Sequence, residues 1–251
     1  MIEVTQQGAV HIVRLAHGKA SALDTELCDA IAAQFEQLRA ASGAIVLTGT
    51  GGIFSAGVDL RRVIDGGAAY LDAFLPALTS MLEIVFLHPQ PVVAAINGHA
   101  IAGGCVLACA ADRRLMAPGK GRIGITELLV GVPFPTTALE IMRATCAPQH
   151  LQRLVYDGTT VAAADAVGLG LVDEVVDAEA LLDRAVAQAE ALLAIAPDAF
   201  ALSKRQLRGP ARERTHATRP VVDPDVDAIW QAEVTRAAIG RYVERTLKRP
   251  S

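Results

Sequence analysis

The chain has no excess of positive charge, no Cys-x-x-Cys pair and no apolar run clean enough to cross a bilayer. Each absence removes a class of function. The net charge is −4 with acids and bases interspersed, so the basic face of a nucleic-acid binder is not expected. The cysteines, Cys28, Cys105, Cys109 and Cys146, fit buried thiols in a reduced cytoplasm better than a disulfide framework. Cys105 and Cys109 have a helical spacing that a metal site could use, but buried thiols are the better reading and no metal is expected. Met1-Ile2-Glu3-Val4 shows neither the basic nor the apolar part of a secretory leader, so a cytoplasmic location is expected. The longest apolar stretch, Pro91 to Ala111, contains Asn97, His99 and several glycines. It reads as strand, loop and short helix rather than as a membrane span. Gly49-Thr50-Gly51-Gly52 fits neither the dinucleotide fingerprint nor the P-loop and reads as a flexible turn.

What is present is material for one sizeable domain, with 251 residues of which 52% are hydrophobic. Met1 to Thr5 and Ala9 to Leu15 alternate apolar and polar around Gln7-Gly8, which predicts a hairpin. Asp24 is placed to cap a helix carrying Leu27, Ile31, Phe35 and Leu38. Ala44 to Leu47, Pro91 to Ile96, Arg113 to Ala117 and Val172 to Val176 read as strands. Leu71 to Leu87, Gly103 to Ala110, Leu139 to Ala144 and His150 to Tyr156 read as helices. Strands and helices alternate, so a layered α/β core is expected. After about Asp177 the pattern is helical only, over Ala180 to Ala194 and Ala199 to Leu207. A polar stretch with Pro210, Pro220 and Pro224 follows from Arg208 to Asp225, and a last helix from about Val226 to Leu247. The expected division is a core over residues 1–196 and a helical region over residues 197–251.

Two segments carry the chemistry. Phe54-Ser55-Ala56-Gly57-Val58-Asp59-Leu60 and Asn97-Gly98-His99-Ala100-Ile101-Ala102-Gly103-Gly104-Cys105 each follow an apolar strand-like run. Neither offers a Ser-His, Cys-His or metal-ligand set. Both put glycine and small residues where the backbone must turn, which leaves backbone N–H groups free. Two such groups converging from two loops can hold negative charge on a carbonyl oxygen. Gly103 and Gly104 open a helix, where N–H groups are unpaired and the dipole favours anions.

These segments resemble the two signature stretches of the crotonase (enoyl-CoA hydratase/isomerase) superfamily. His17-Gly18-Lys19-Ala20-Ser21-Ala22-Leu23-Asp24 resembles its early CoA-binding turn, and Gly124-Ile125-Thr126-Glu127 its catalytic-glutamate segment. Ala162 to Asp173 resembles the helix-turn-strand near the end of its core. The resemblance implies a core of repeated ββα units with a C-terminal helical oligomerisation region, assembling as a homotrimer or a dimer of trimers. It implies the backbone N–H groups of Val58 and Gly103 as oxyanion donors and Glu127 as the proton-moving group. It places Lys19, Ala20, Ala22, Leu23, Ser55, Gly57, Asp59, Leu60 and Gly104 along the CoA site. Coenzyme A enters as part of the substrate, and no separate cofactor is implied. Asp59 also reads as a plain helix cap, His99 as structural, and Glu140 as a reserve carboxylate.

The chain departs from the hydratase pattern at one point. Hydratases of the superfamily carry a glutamate directly after Gly-Gly-Cys, where this chain has Val106. One carboxylate can move a proton between two carbons, whereas hydration also needs a group to hold water. The pattern resembles the Δ3,Δ2-enoyl-CoA isomerase branch, and the run from Glu127 to Pro135 resembles that branch's Gly-x-x-x-Pro-Phe segment. The expected activity is a shift of a 3-enoyl-CoA double bond to 2-enoyl-CoA. The alternatives are a hydratase, another crotonase reaction, or a paralogue that binds acyl-CoA without turnover.

Overall fold

The computed structural model describes residues 1–247, with the side chain of Leu247 excepted. The end of the expected C-terminal region, residues 248–251, lies outside the described residues. A six-stranded sheet runs in the order β1 (Ile2–Gln7), β2 (Val10–Leu15), β3 (Ala44–Thr48), β5 (Val92–Ile96), β7 (Arg113–Met116) and β10 (Glu174–Val175). β1 and β2 form the antiparallel hairpin, and the remaining pairs are parallel. Successive strand side chains point to opposite faces. Accordingly Val10, Ile12, Ala44, Val46, Val93 and Ala95 cluster with α8 (Leu181–Leu193). Their alternates Val13, Leu15, Ile45, Leu47, Ala94 and Ile96 join the main core. Both faces are covered, which is why β3 and β5 are apolar at nearly every position.

A second sheet is formed by β4 (Ile53–Ser55), β6 (His99–Ile101), β8 (Ile123–Gly124) and β9 (Thr160–Val161). The first three strands are parallel and β9 is antiparallel to β8. Three times the chain passes through a long-sheet strand, then a short-sheet strand, then a helix. The first unit ends in α2 (Leu60–Phe86), the second in α3 (Gly103–Cys109) and the third in α4 (Glu127–Val130). This is the repeated ββα layout implied by the resemblance.

α2 begins well before the expected start at Leu71. Asp59 caps it, its carboxylate accepting from the N–H groups of Arg61 at 3.0 Å and Arg62 at 3.2 Å. Gly67 interrupts the helix with φ 57° and ψ −147°. Those few polar and glycine-bearing turns hid the start from periodicity. α2 is long and apolar enough to cross a membrane, but Leu71, Phe74, Leu78, Met81, Leu82 and Val85 lie in the main core.

The C-terminal helices also differ from expectation. α9 (Pro197–Gln231) runs unbroken through Pro210, Pro220 and Pro224, and the break comes at Ala232 (φ −63°, ψ 140°) before α10 (Glu233–Leu247). Each proline removes a helical N–H, yet tertiary contacts keep the helix continuous through them. Arg208 donates to the carbonyls of Ala110 and Ala111 at 3.0 Å, and Arg219 donates to Glu83 at 2.8 Å. Lys204 and Arg208 both grip the Asp112 carboxylate, at 2.7 and 2.8 Å. Burial pulls the Lys204 ammonium down to about 8, with the Asp112 charge opposing it. Asp112, just before β7, therefore anchors α9 to the sheet.

Candidate active site

The short sheet determines where the chemistry can sit. Val58 follows β4, Gly103 follows β6 and Glu127 follows β8, so three parallel strands deliver the three groups to one edge. The segment from Ala20 to Leu23 runs beside Ala56 to Asp59. The N–H of Ala56 donates to Ala20 O at 3.0 Å, Leu23 to Gly57 O at 2.8 Å, and Asp59 to Leu23 O at 2.9 Å. In this alternation the Val58 N–H points the other way and finds no acceptor among the described residues.

Gly103 meets Val58 from the next strand. Ala102 holds φ 51° and ψ −125°, a conformation that costs an alanine on the order of 1–3 kcal/mol. Its N–H is tied to Gly124 O at 2.8 Å, and its carbonyl accepts from Cys105 at 2.8 Å and Val106 at 3.1 Å. The Gly103 N–H, turned out by this corner, likewise has no acceptor among the described residues. The two loops approach so closely that side chains are excluded. A Cβ on Gly57, which holds φ +80°, would sit 2.5 Å from Ile101 O, and one on Gly104 would sit 2.4 Å from Ser55 O. The glycines and small residues of the two sequence segments are thus explained by the approach of one backbone to another.

Val58 and Gly103 both line a cavity of about 400 Å³, within the usual size of a small-molecule site. Glu127 stands at its edge as the first residue of α4, and this one-turn helix is held in place from behind. Gly131 ends it in the left-handed conformation (φ 95°), and the Val132 N–H returns to Glu127 O at 3.0 Å. Glu127 is 9% exposed, and its Oε2 has no hydrogen-bond partner. Removal from water pushes its carboxyl up to about 7, against a weaker opposing pull from the backbone N–H groups of Glu127 and Thr126. Val106, on α3, is buried in the same cavity wall.

The expected site residues divide into two sets. Ala20, Ala22, Val58, Asp59, Leu60, Gly103 and Glu127 line the cavity. Lys19, Leu23, Ser55, Gly57 and Gly104 do not. Lys19 is exposed on its turn, and Leu23 is buried behind the wall. The Ser55 hydroxyl donates to Ser21 O at 2.7 Å and accepts from the Gly57 N–H at 3.2 Å, so it braces the loop from inside. Asp59 is occupied as the cap of α2. Glu140 is taken by Arg214 at 2.7 Å and Arg143 at 3.6 Å, and it lies outside the cavity. His99 also lies outside it.

Sequence reasoning missed part of the wall. Leu78 and Leu82 come from α2, and Trp230, Tyr242 and Thr246 come from the C-terminal helices. The C-terminal region therefore folds back over its own chain's cavity. Amphipathic spacing signals that such helices bury a face, but not what that face meets.

Known proteins match this arrangement. A putative enoyl-CoA hydratase of Thermus thermophilus is 34% identical over 190 residues, which are 74% of this chain and 74% of that protein. A mouse protein, enoyl-CoA delta isomerase 1, mitochondrial, is 28% identical over 212 residues, 83% of this chain and 73% of its own length. The fold is shared with the human mitochondrial delta3-delta2-enoyl-CoA isomerase, with a TM-score of 0.94 over 100% of this chain and 99% of that one, at 23% identity. From residue 5 to residue 248 the sequence matches the enoyl-CoA hydratase/isomerase family. The chain belongs to that family, within the crotonase superfamily, and its relatives include proteins named hydratase and proteins named isomerase.

Proposed function

We propose that the chain shifts the double bond of a 3-enoyl-CoA thioester to the 2-position, with one carboxylate carrying the proton. The observation that carries this reading is the pairing of Glu127 with Val106. Of the two carboxylates on the cavity wall, Asp59 caps its helix through Oδ1, whereas Glu127 has a buried oxygen, Oε2, without a hydrogen-bond partner. The position at which a second carboxylate would hold water is a buried valine.

In this reading the thioester oxygen sits between the N–H groups of Val58 and Gly103. Glu127 takes a proton from C2, and the electron pair of that C–H bond is shared between the thioester oxygen, through C1, and C4, through C3=C4, as a dienolate. The two N–H groups hold the charge, whose stabilisation is strengthened by the apolar, water-poor wall. Glu127 then returns the proton to C4, leaving the double bond between C2 and C3. The carboxyl ends as it began, so no other proton donor is needed. A carboxyl raised to about 7 is well matched to giving and taking a proton near neutrality.

The test is to offer the protein 3-enoyl-CoA and 2-enoyl-CoA separately. Bond migration with negligible hydration supports the proposal. Efficient hydration supports the hydratase reading, which the Thermus thermophilus relative favours by its name. Binding of the esters without turnover identifies a binding paralogue.

Val106→Glu should confer slight hydration of 2-enoyl-CoA on a protein that has almost none, because two carboxylates can then hold a water. The gain should stay small, since burying the new group costs stability or leaves it partly protonated. A parent protein that already hydrates as fast as it isomerises would remove the basis for this variant.

The helical region from Pro197 onward is proposed to join subunits. Leu202, Leu207, Val221 and Val222 stand exposed along α9, apolar side chains that a second subunit would cover. Light scattering at micromolar concentration should give a trimer or hexamer, and a clean monomer would refute this.

A further inference from the structure

The cavity wall carries two chemically different sets of residues. Ala20, Ala22 and Arg61, on the turn and helix start, are partly or fully exposed. Leu78, Leu82, Phe134, Ala138 and Trp230 are apolar and buried. A thioester held at Val58 and Gly103 would send its polar carrier toward the exposed set and its acyl tail toward the buried apolar one. This placement rests on the reading given under the proposed function.

Trp230 is the largest side chain of the apolar set and is only 3% exposed. It is also fixed. Its indole N–H donates to Pro133 O at 3.0 Å, which ties it to the segment carrying Val132 and Phe134. Its neighbour Gln231 donates to Asp72 on α2 at 2.8 Å. The chain then breaks at Ala232 and turns back as α10, which brings Tyr242 onto the same wall. Trp230 thus occupies a helix corner bolted on two sides. It cannot swing aside as an unanchored side chain would, because its buried N–H would lose its acceptor.

We propose that Trp230 is a specificity-determining residue, a fixed end wall that limits the length of the unbranched apolar acyl tail the cavity accepts. For each methylene that fits, affinity should rise by about fourfold, the equivalent of about 0.8 kcal/mol. Beyond the length at which the tail meets the indole, the rise should stop.

The experiment measures binding of saturated, unbranched acyl-CoA esters of increasing length to the intact protein by calorimetry, so that no turnover is required. The parent should show a plateau. Trp230→Ala should carry the rise past that length by about fourfold per methylene, with short esters bound no better than before. Trp230→Phe keeps an aromatic ring but is smaller, so its plateau should move by a shorter step. It also serves as the test if the alanine variant does not fold. A folded variant whose plateau coincides with the parent's would overturn the role of Trp230 while leaving the acyl-CoA reading intact. A parent that binds no ester of any length would overturn both.

Discussion

Glu127→Gln should lower isomerisation by about 10²–10⁴-fold, toward the limit of detection, with acyl-CoA affinity changed only a few-fold. The amide fills the same space but cannot take the C2 proton. Turnover by stopped assay and affinity by calorimetry separate the two effects, and near-normal turnover would move the proton shuttle elsewhere. For the parent, kcat/KM should rise with pH through about 7 and level off above it, since the ionised carboxylate is the base. A linked effect appears in stability. The Glu127 carboxyl keeps its proton to about pH 7 in the folded chain, whereas its ordinary value is 4.5. Between those values the folded state binds more protons than the unfolded one. The contribution of this group to stability therefore falls as pH rises from about 4.5 to about 7. The amide does not titrate, so Glu127→Gln should gain stability over the parent between pH 5 and pH 8. Urea unfolding at those two values measures it, and an equal difference at both would mean that the carboxyl is not raised.

Gly103→Pro should cost about 2.7–4 kcal/mol of transition-state stabilisation, or about 10²–10³ in kcat, because it deletes one of two oxyanion donors. Gly103 is the first residue of α3, a position where proline fits a helix. Proline also restricts the preceding residue, and Ala102 is already in a costly conformation, so circular dichroism must accompany the kinetics. Gly103→Ala is the control. Its added Cβ would meet a terminal methyl of Leu23 at 3.1 Å, and the N–H is kept. Activity retained in the alanine variant and lost in the folded proline variant assigns the effect to the donor. A folded, fully active proline variant would exclude the Gly103 N–H from that role.

The backbone part of the site was legible in the sequence for a physical reason. Two main chains can pass as closely as Gly57 passes Ile101, or Gly104 passes Ser55, only where side chains are absent. That requirement writes glycine and alanine into the sequence. Glu127 was legible by resemblance, and its burial needed the structure. The short sheet left no pattern, since strands of two or three residues cannot display alternation. The proline-bearing stretch of α9 read as a break because propensity is local, while the bonds of Arg208 and Arg219 that hold the helix come from distant parts of the chain. Ser55, Gly57 and Gly104, which the resemblance implies along the CoA site, do not line the cavity, and their contacts are with the neighbouring loops. Trp230 gave no signal, because a tryptophan near a helix end is equally at home in a core or in a binding wall.

The three parallel strands of the short sheet also act as a ruler. Neighbouring strands in any sheet lie about 4.8 Å apart, a spacing fixed by backbone hydrogen bonds and indifferent to side chains. β6 stands between β4 and β8. The Val58 and Gly103 loops therefore follow neighbouring strands, and Glu127 follows the next strand along. In the proposed reaction, the separation between the groups that would hold charge and the one that would move the proton is thus set by the geometry of peptide hydrogen bonding. Side-chain replacements on the cavity wall can alter which bond reacts while that distance stays the same.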